Sequence, residues 1–171
     1  GTAYNTLSDA VSAAKAGDTI VLGQDVTESV AVAQNITIHL GGHTWTGSST
    51  TTLSAKGTGV DSAVTVKNGK IVAGSAASSA KATAIHADNA NLTIENCEVS
   101  GTGTGTLVRA ETTSAKIHPS ETLTISGSSF KNAAYGVYAA VEGNVKERSM
   151  TVNISNSTFE PLLLVPQYRP R

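Results

Sequence analysis

The chain has 171 residues, a formal net charge of −1, 15% charged residues and 4% aromatics. That size suits one domain. The near-neutral, aromatic-poor composition excludes the basic stripe with stacking rings that nucleic-acid modules carry. No apolar run, Leu162-Leu163-Leu164-Val165 included, approaches the length needed to span a membrane. With 39% hydrophobic residues and counts of 23 Thr, 19 Ser, 23 Ala and 16 Gly, the chain is too apolar for disorder and too poor in bulk for one thick core. It reads as a shallow core repeated many times.

In chain order, Leu7, Ala10, Val11 and Ala14 fall at i, i+3, i+4, i+7, which predicts an amphipathic helix over residues 6–16. Thr6 is its expected N-cap, Asp9 sits in the first turn, and Gly17 is the expected stop. Asp18-Thr19-Ile20-Val21-Leu22 follows as a strand.

From there a repeat governs the sequence. Ile36-Thr37-Ile38, Val64-Thr65-Val66, Leu92-Thr93-Ile94, Leu123-Thr124-Ile125 and Val152-Asn153-Ile154 start 28, 28, 31 and 29 residues apart. Apolar–polar–apolar triplets are strand pieces with one buried face. Two residues after the last four triplets stand Asn68, Asn96, Gly127 and Asn156, residue types that tolerate a left-handed corner. Three further on comes an apolar residue: Ile71, Val99, Phe130 or Phe159. Trp45 takes that place in the first copy, after an insertion at Gly41-Gly42. A third strand precedes each triplet, at Val30-Ala31-Val32, Leu53-Ser54-Ala55, Ile85-His86-Ala87, Val108-Arg109-Ala110 and Val137-Tyr138-Ala139.

Three short strands per period make one turn of a coil, and stacked coils set like residues above like. The expected fold is an all-β, right-handed parallel β-helix of about five coils with a short N-terminal capping α-helix. It occupies residues 1–161, and residues 162–171 form a tail or end cap. The inward ladders should be Ile36/Val64/Leu92/Leu123/Val152 and Ile38/Val66/Ile94/Ile125/Ile154. An antiparallel sandwich would not require one strand–corner–strand motif at near-constant spacing.

The order Thr6-Leu7-Ser8-Asp9-Ala10-Val11, then Ala16-Gly17-Asp18-Thr19-Ile20-Val21-Leu22, then Asn35-Ile36-Thr37-Ile38 and repeated Leu-Thr-Ile-x-Asn coils, resembles the pectate-lyase-like right-handed parallel β-helix superfamily over residues 4–160. The resemblance implies the fold and no single activity, because lyases, hydrolases, tailspikes, adhesins and stalks share it. The lyase pattern, with Asp clustered on one face, is not matched: Asp9, Asp18, Asp25, Asp61 and Asp88 are scattered over different coils.

The candidate surface lies on the strand before each triplet. Its middle residues run Ala31, Ser54, His86, Arg109, Tyr138, and two positions on come Asp88, Glu111 and Ala140. His86, Asp88, Arg109, Glu111 and Tyr138 should therefore share one patch, a ring face and polar groups suited to a sugar. The alternative is a solvated strand whose Arg–Glu and His–Asp pairs contribute little. Long connections at 111–122 and 140–151 could wall a groove beside this patch. They contain Lys116, His118, Glu121, Glu142, Lys146, Glu147 and Arg148.

The outward Thr37/Thr65/Thr93/Thr124 row is no flat ice-matching lattice, since Lys67 and Glu95 stand beside it. Cys97 reads as a buried thiol, and His39 with His43 as structural histidines. No catalytic residue, metal site or cofactor is expected. The expected role is a non-catalytic adhesin- or stalk-like domain, secreted or on a bacterial cell surface, in contact with polysaccharide or cell-surface glycan. The alternative is a polysaccharide lyase, a glycoside hydrolase-like enzyme, or a fragment of one.

Overall fold

A computed structural model describes residues 1–59, 61–74, 82–113, 120–142 and 148–160. Among the described residues there is one helix, α1 (Leu7–Ala13), followed in order by β1 (Thr19–Val21), β2 (Val26–Thr27), β3 (Val30–Val32), β4 (Ile36–His39), β5 (Thr44–Thr46), β6 (Thr51–Lys56), β7 (Ala63–Val72), β8 (Thr83–Asp88), β9 (Asn91–Ser100), β10 (Thr106–Thr112), β11 (Ser120–Ser126), β12 (Ser129–Lys131), β13 (Tyr135–Val141), β14 (Ser149–Ser155) and β15 (Thr158–Phe159). One sheet has the order β1-β4-β7-β9-β11-β14, extended past the corner by β2, β5, β12 and β15. The other has the order β3-β6-β8-β10-β13. The described strand pairs are parallel. The result is a parallel β-solenoid of about four turns, because five copies of the triplet enclose four full repeats.

Register follows the repeat. Ile38 pairs Val66, Val66 pairs Ile94, Ile94 pairs Ile125, and Ile125 pairs Ile154. The plug column behaves likewise, from Trp45 through Ile71 and Val99 to Phe130 and Phe159. Trp45 is fully buried, and its indole N–H donates to the Glu28 carbonyl at 2.9 Å, so the widest side chain of the first turn leaves no orphan donor.

The corners take the expected left-handed backbone, with φ of 60° at Asn68, 51° at Asn96, 57° at Gly127 and 47° at Asn156. β7 and β9 run continuously through this bend. The Asn96 amide donates to the Asn68 side-chain oxygen, so the corner is also a side-chain ladder. Gly127 suits the next step, since a Cβ there would collide with the Asn96 side-chain oxygen. Asn96→Ala is expected to cost about 1–2 kcal/mol, the penalty of an L side chain in this conformation, whereas Asn96→Gly stays close to neutral. Urea unfolding of the two variants checks this; equal losses would mean the ladder, not the backbone, matters.

Two expectations need correction. The helix ends at Ala13 rather than at residue 16, because the chain turns extended at Ala14 and the Lys15 amide donates to the Asp18 carboxylate at 2.7 Å. Gly17, at φ 91°, belongs to the next turn. The inward ladders are not buried to their end: Leu123 and Ile125 are 0% exposed, but Val152 and Ile154 are 41% and 45% exposed. Among the described strands β14 is the last of its sheet, with a neighbour on one side only. Residues 162–171, expected as a tail or cap, lie outside the described residues.

α1 closes the other end. Its buried face is Leu7, Ala10 and Val11, with Ala14 packed against the core beside them. The Thr6 hydroxyl accepts from the Asp9 amide at 3.0 Å, as a cap should. Glu28, at the turn between β2 and β3, accepts from the Leu7 amide at 2.9 Å and from the Ser8 amide and hydroxyl at 3.0 and 2.8 Å. Partial burial opposes ionisation of this carboxyl, but the hydrogen bonds outweigh it and hold the group below its ordinary range. The carboxylate thus clamps the positive end of the helix dipole to the first turn.

Candidate functional site

β8, β10 and β13 lie side by side and place the predicted column in register: His86 pairs Arg109, and Arg109 pairs Tyr138. One step inward, Ala87, Ala110 and Ala139 share a row. The next row outward holds Asp88, Glu111 and Ala140. Small residues behind the strand bring the sheet close to the core, and the large polar groups stand on its outer face.

The side chains do not pair as the sequence suggested. Glu111 accepts from Arg109 Nη2 at 2.6 Å and contacts His86 Nε2 at 2.9 Å. His86 therefore engages Glu111, across one strand, rather than Asp88 on its own strand. Asp88 turns away and accepts from the Asn89 amide at 2.7 Å and the Thr113 hydroxyl at 2.8 Å. That network ties two successive turns together at the corner.

Glu111 is 5% exposed, so its charge is desolvated. The Arg109 guanidinium overrides that cost and, helped by Glu142 and His86, holds the carboxyl down at about 2. Arg109 is raised by the same bond. Its guanidinium also sits 5.2 Å from the centre of the Tyr138 ring, a cation–π contact. Arg109 and Tyr138 are each about half exposed, 45% in both cases. The patch is a cation fixed by a buried anion, beside an open ring.

The column reading passed over two carboxyls. Glu142, just past β13, shares a hydrogen bond with Glu111 and is raised by it. Glu121, placed by the sequence in a connection, is the second residue of β11 and is 1% exposed. Neither of its oxygens has a hydrogen-bond partner of good geometry. Burial pushes it up to about 8, with the Thr112 side chain offsetting part and Asp88 adding to the rise. Lys116, His118, Lys146 and Glu147, expected to wall a groove, lie outside the described residues.

The remaining candidates have structural partners. Cys97 is buried, and burial pushes its thiol up to about 11, far from the thiolate a nucleophile needs. His39 accepts from the Gly41 amide at 3.0 Å through Nδ1 and meets the Asn68 amide at 2.8 Å through Nε2. His43 stands 3.5 Å from Asp25. Lys67 and Glu95 are in register, but the ion pairs form in a neighbouring column, where Glu98 takes Lys70 at 2.9 Å and Lys131 at 3.0 Å. Among the described residues no three His, Cys, Asp or Glu side chains converge as a metal site, and no helix is long and apolar enough to cross a membrane.

Comparison with known protein families, with curated proteins and with solved structures finds no match for this chain.

Proposed function

We propose that this chain is a non-catalytic β-helix of the pectate-lyase-like kind, secreted or on a bacterial cell surface, whose His86–Arg109–Tyr138 face contacts saccharides. The observation that carries the reading is the bracing of Arg109: its guanidinium is tied to a buried carboxylate and lies against a half-exposed tyrosine. A rigid ring beside a fixed fork of N–H donors meets a sugar's C–H face and its hydroxyls at once, with little side-chain entropy left to lose. Charges of opposite sign cancel within the patch, which suits a hydroxyl-rich partner better than a polyanion.

One observation favours an enzyme instead. Glu111 is held low while Glu142 is raised, and two carboxyls pushed apart in this way are how an acid and a base are assigned in glycoside hydrolysis. Against it, Glu111 is buried and occupied by Arg109 and His86, a poor starting point for a nucleophile.

A glycan-array screen of the purified chain, followed by titration of the best ligand, decides between these readings. Arg109→Ala and Tyr138→Ala should each weaken binding by at least about tenfold, as removal of central contacts does. For Tyr138→Ala the midpoint of thermal unfolding should stay close to wild type. Unchanged affinity in both variants would reduce the patch to a solvated face. Release of reducing ends that is lost in Glu142→Gln would move the reading to the enzyme.

A further inference from the structure

The two ends of the solenoid differ. α1 closes the first turn, whereas the last turn presents inward-facing side chains to solvent. Phe130 is 2% exposed, and Phe159, stacked on it at 4.7 Å, is 41% exposed. Tyr135, at the start of β13, is 60% exposed. β13, β14 and β15 each pair on one side only, so their outer backbone groups are unpaired within the described sheets.

Exposed strand edges are ordinarily protected by charge or proline. Here the charge stops one or two turns short. The column Lys67, Glu95, Ser126 ends in Ser155, and the column Lys70, Glu98, Ser129 ends in Thr158. His86 and Arg109 are followed by Tyr138, and Asp88 and Glu111 by Ala140. β13, β14 and β15 contain no charged residue and no proline. Four outward columns that carry charge on inner turns are thus neutral on the last one.

We propose that two copies of this chain associate through this last turn, end against end about a two-fold axis. A two-fold contact sets the same surface against itself, so it tolerates no patch of one charge. The strands of this end carry none, the described residues that flank them, Glu142, Arg148 and Glu160, are of mixed sign, and the ladder of Val152, Ile154 and Phe159 offers each copy the apolar layer that the next rung would supply. Seven-residue strands about 23 Å long, in two sheets whose centres lie about 10 Å apart and whose outward side chains widen the layer to about 20 Å, give an end face of roughly 450 Å². The pair would bury roughly 900 Å² in all, the size of a weak, specific interface rather than a permanent one.

Sedimentation velocity from about 1 to about 100 µM tests this. It should be run on the 171-residue chain, on Ile154→Lys, on Tyr135→Glu, and on a chain ending at Glu160. The 171-residue chain should form a dimer in the micromolar range. Each substitution should raise the dissociation constant at least about tenfold. Tyr135→Glu, on an exposed side chain, should keep the wild-type circular dichroism spectrum and unfolding midpoint, so that its loss of association is not a loss of fold. The shortened chain should dimerise at least as well. A 171-residue chain that stays monomeric throughout would overturn the proposal. If only the shortened chain dimerises, residues 161–171 themselves occupy the end. Association that survives both substitutions, or that grows past the dimer with concentration, would overturn it as well.

Discussion

Glu121→Gln is expected to make the protein more stable, by roughly 3 kcal/mol at pH 7. In the fold this carboxyl is buried and pushed up to about 8, against an ordinary value of 4.5. Between those values the unfolded chain has released the proton and the folded chain still holds it. Stability therefore falls by about 1.4 kcal/mol for each unit that pH rises through the window. Below about 4.5 both states are protonated and the penalty vanishes; above about 8 it is complete. Glutamine keeps the shape of the neutral acid and removes the proton linkage. For a chain of this size the unfolding midpoint at pH 7 should rise by roughly 5–10 °C, and the difference from wild type should shrink as the pH falls to 4.5. A variant no more stable than wild type at pH 7 would mean that the folded site accommodates the charged form.

Removing residues 1–17 is expected to cost the most. Leu7 and Val11 each bury a full side chain against the first turn, and each is worth roughly 1.5–3 kcal/mol. The deletion also frees Glu28 from three donors and uncovers the edge of the first rung. The shortened chain should lose roughly 5 kcal/mol and aggregate on heating, as an uncovered edge does. Leu7→Asp should reproduce most of the loss with the chain length nearly intact. Thermal unfolding followed by size-exclusion chromatography reads both effects, and a deletion that stays monomeric with an unchanged midpoint would refute the capping role. Glu28→Gln isolates the clamp; losing the charge opposite the helix dipole should cost about 1 kcal/mol.

The site was partly legible in the sequence. His86, Arg109 and Tyr138 could be placed in one column by counting, because each turn touches only its neighbours and residue i meets a partner about 29 positions away. Who bonds to whom could not be counted. Glu111 reaches both Arg109 and His86 because its carboxylate lies between two strands, and Asp88, one strand over in the same row, is drawn off by Asn89 and Thr113 at the turn. Side-chain reach and competition among donors are properties of the assembled face.

What the sequence determined by itself was the period, and with it the strand register, the buried columns of the inner turns and the left-handed corners. Period-two alternation and the preference of Asn and Gly for positive φ are local, and stacking propagates them without further information. Only the tertiary structure decided what depends on which groups lie beyond a residue's own turn. Glu121 looks like any polar residue near a loop until β11 carries it into the interior. Ile154 follows the same pattern as Ile125, yet one is half open and the other closed, because burial belongs to the stack and, among the described strands, the last rung has a neighbour on one side only.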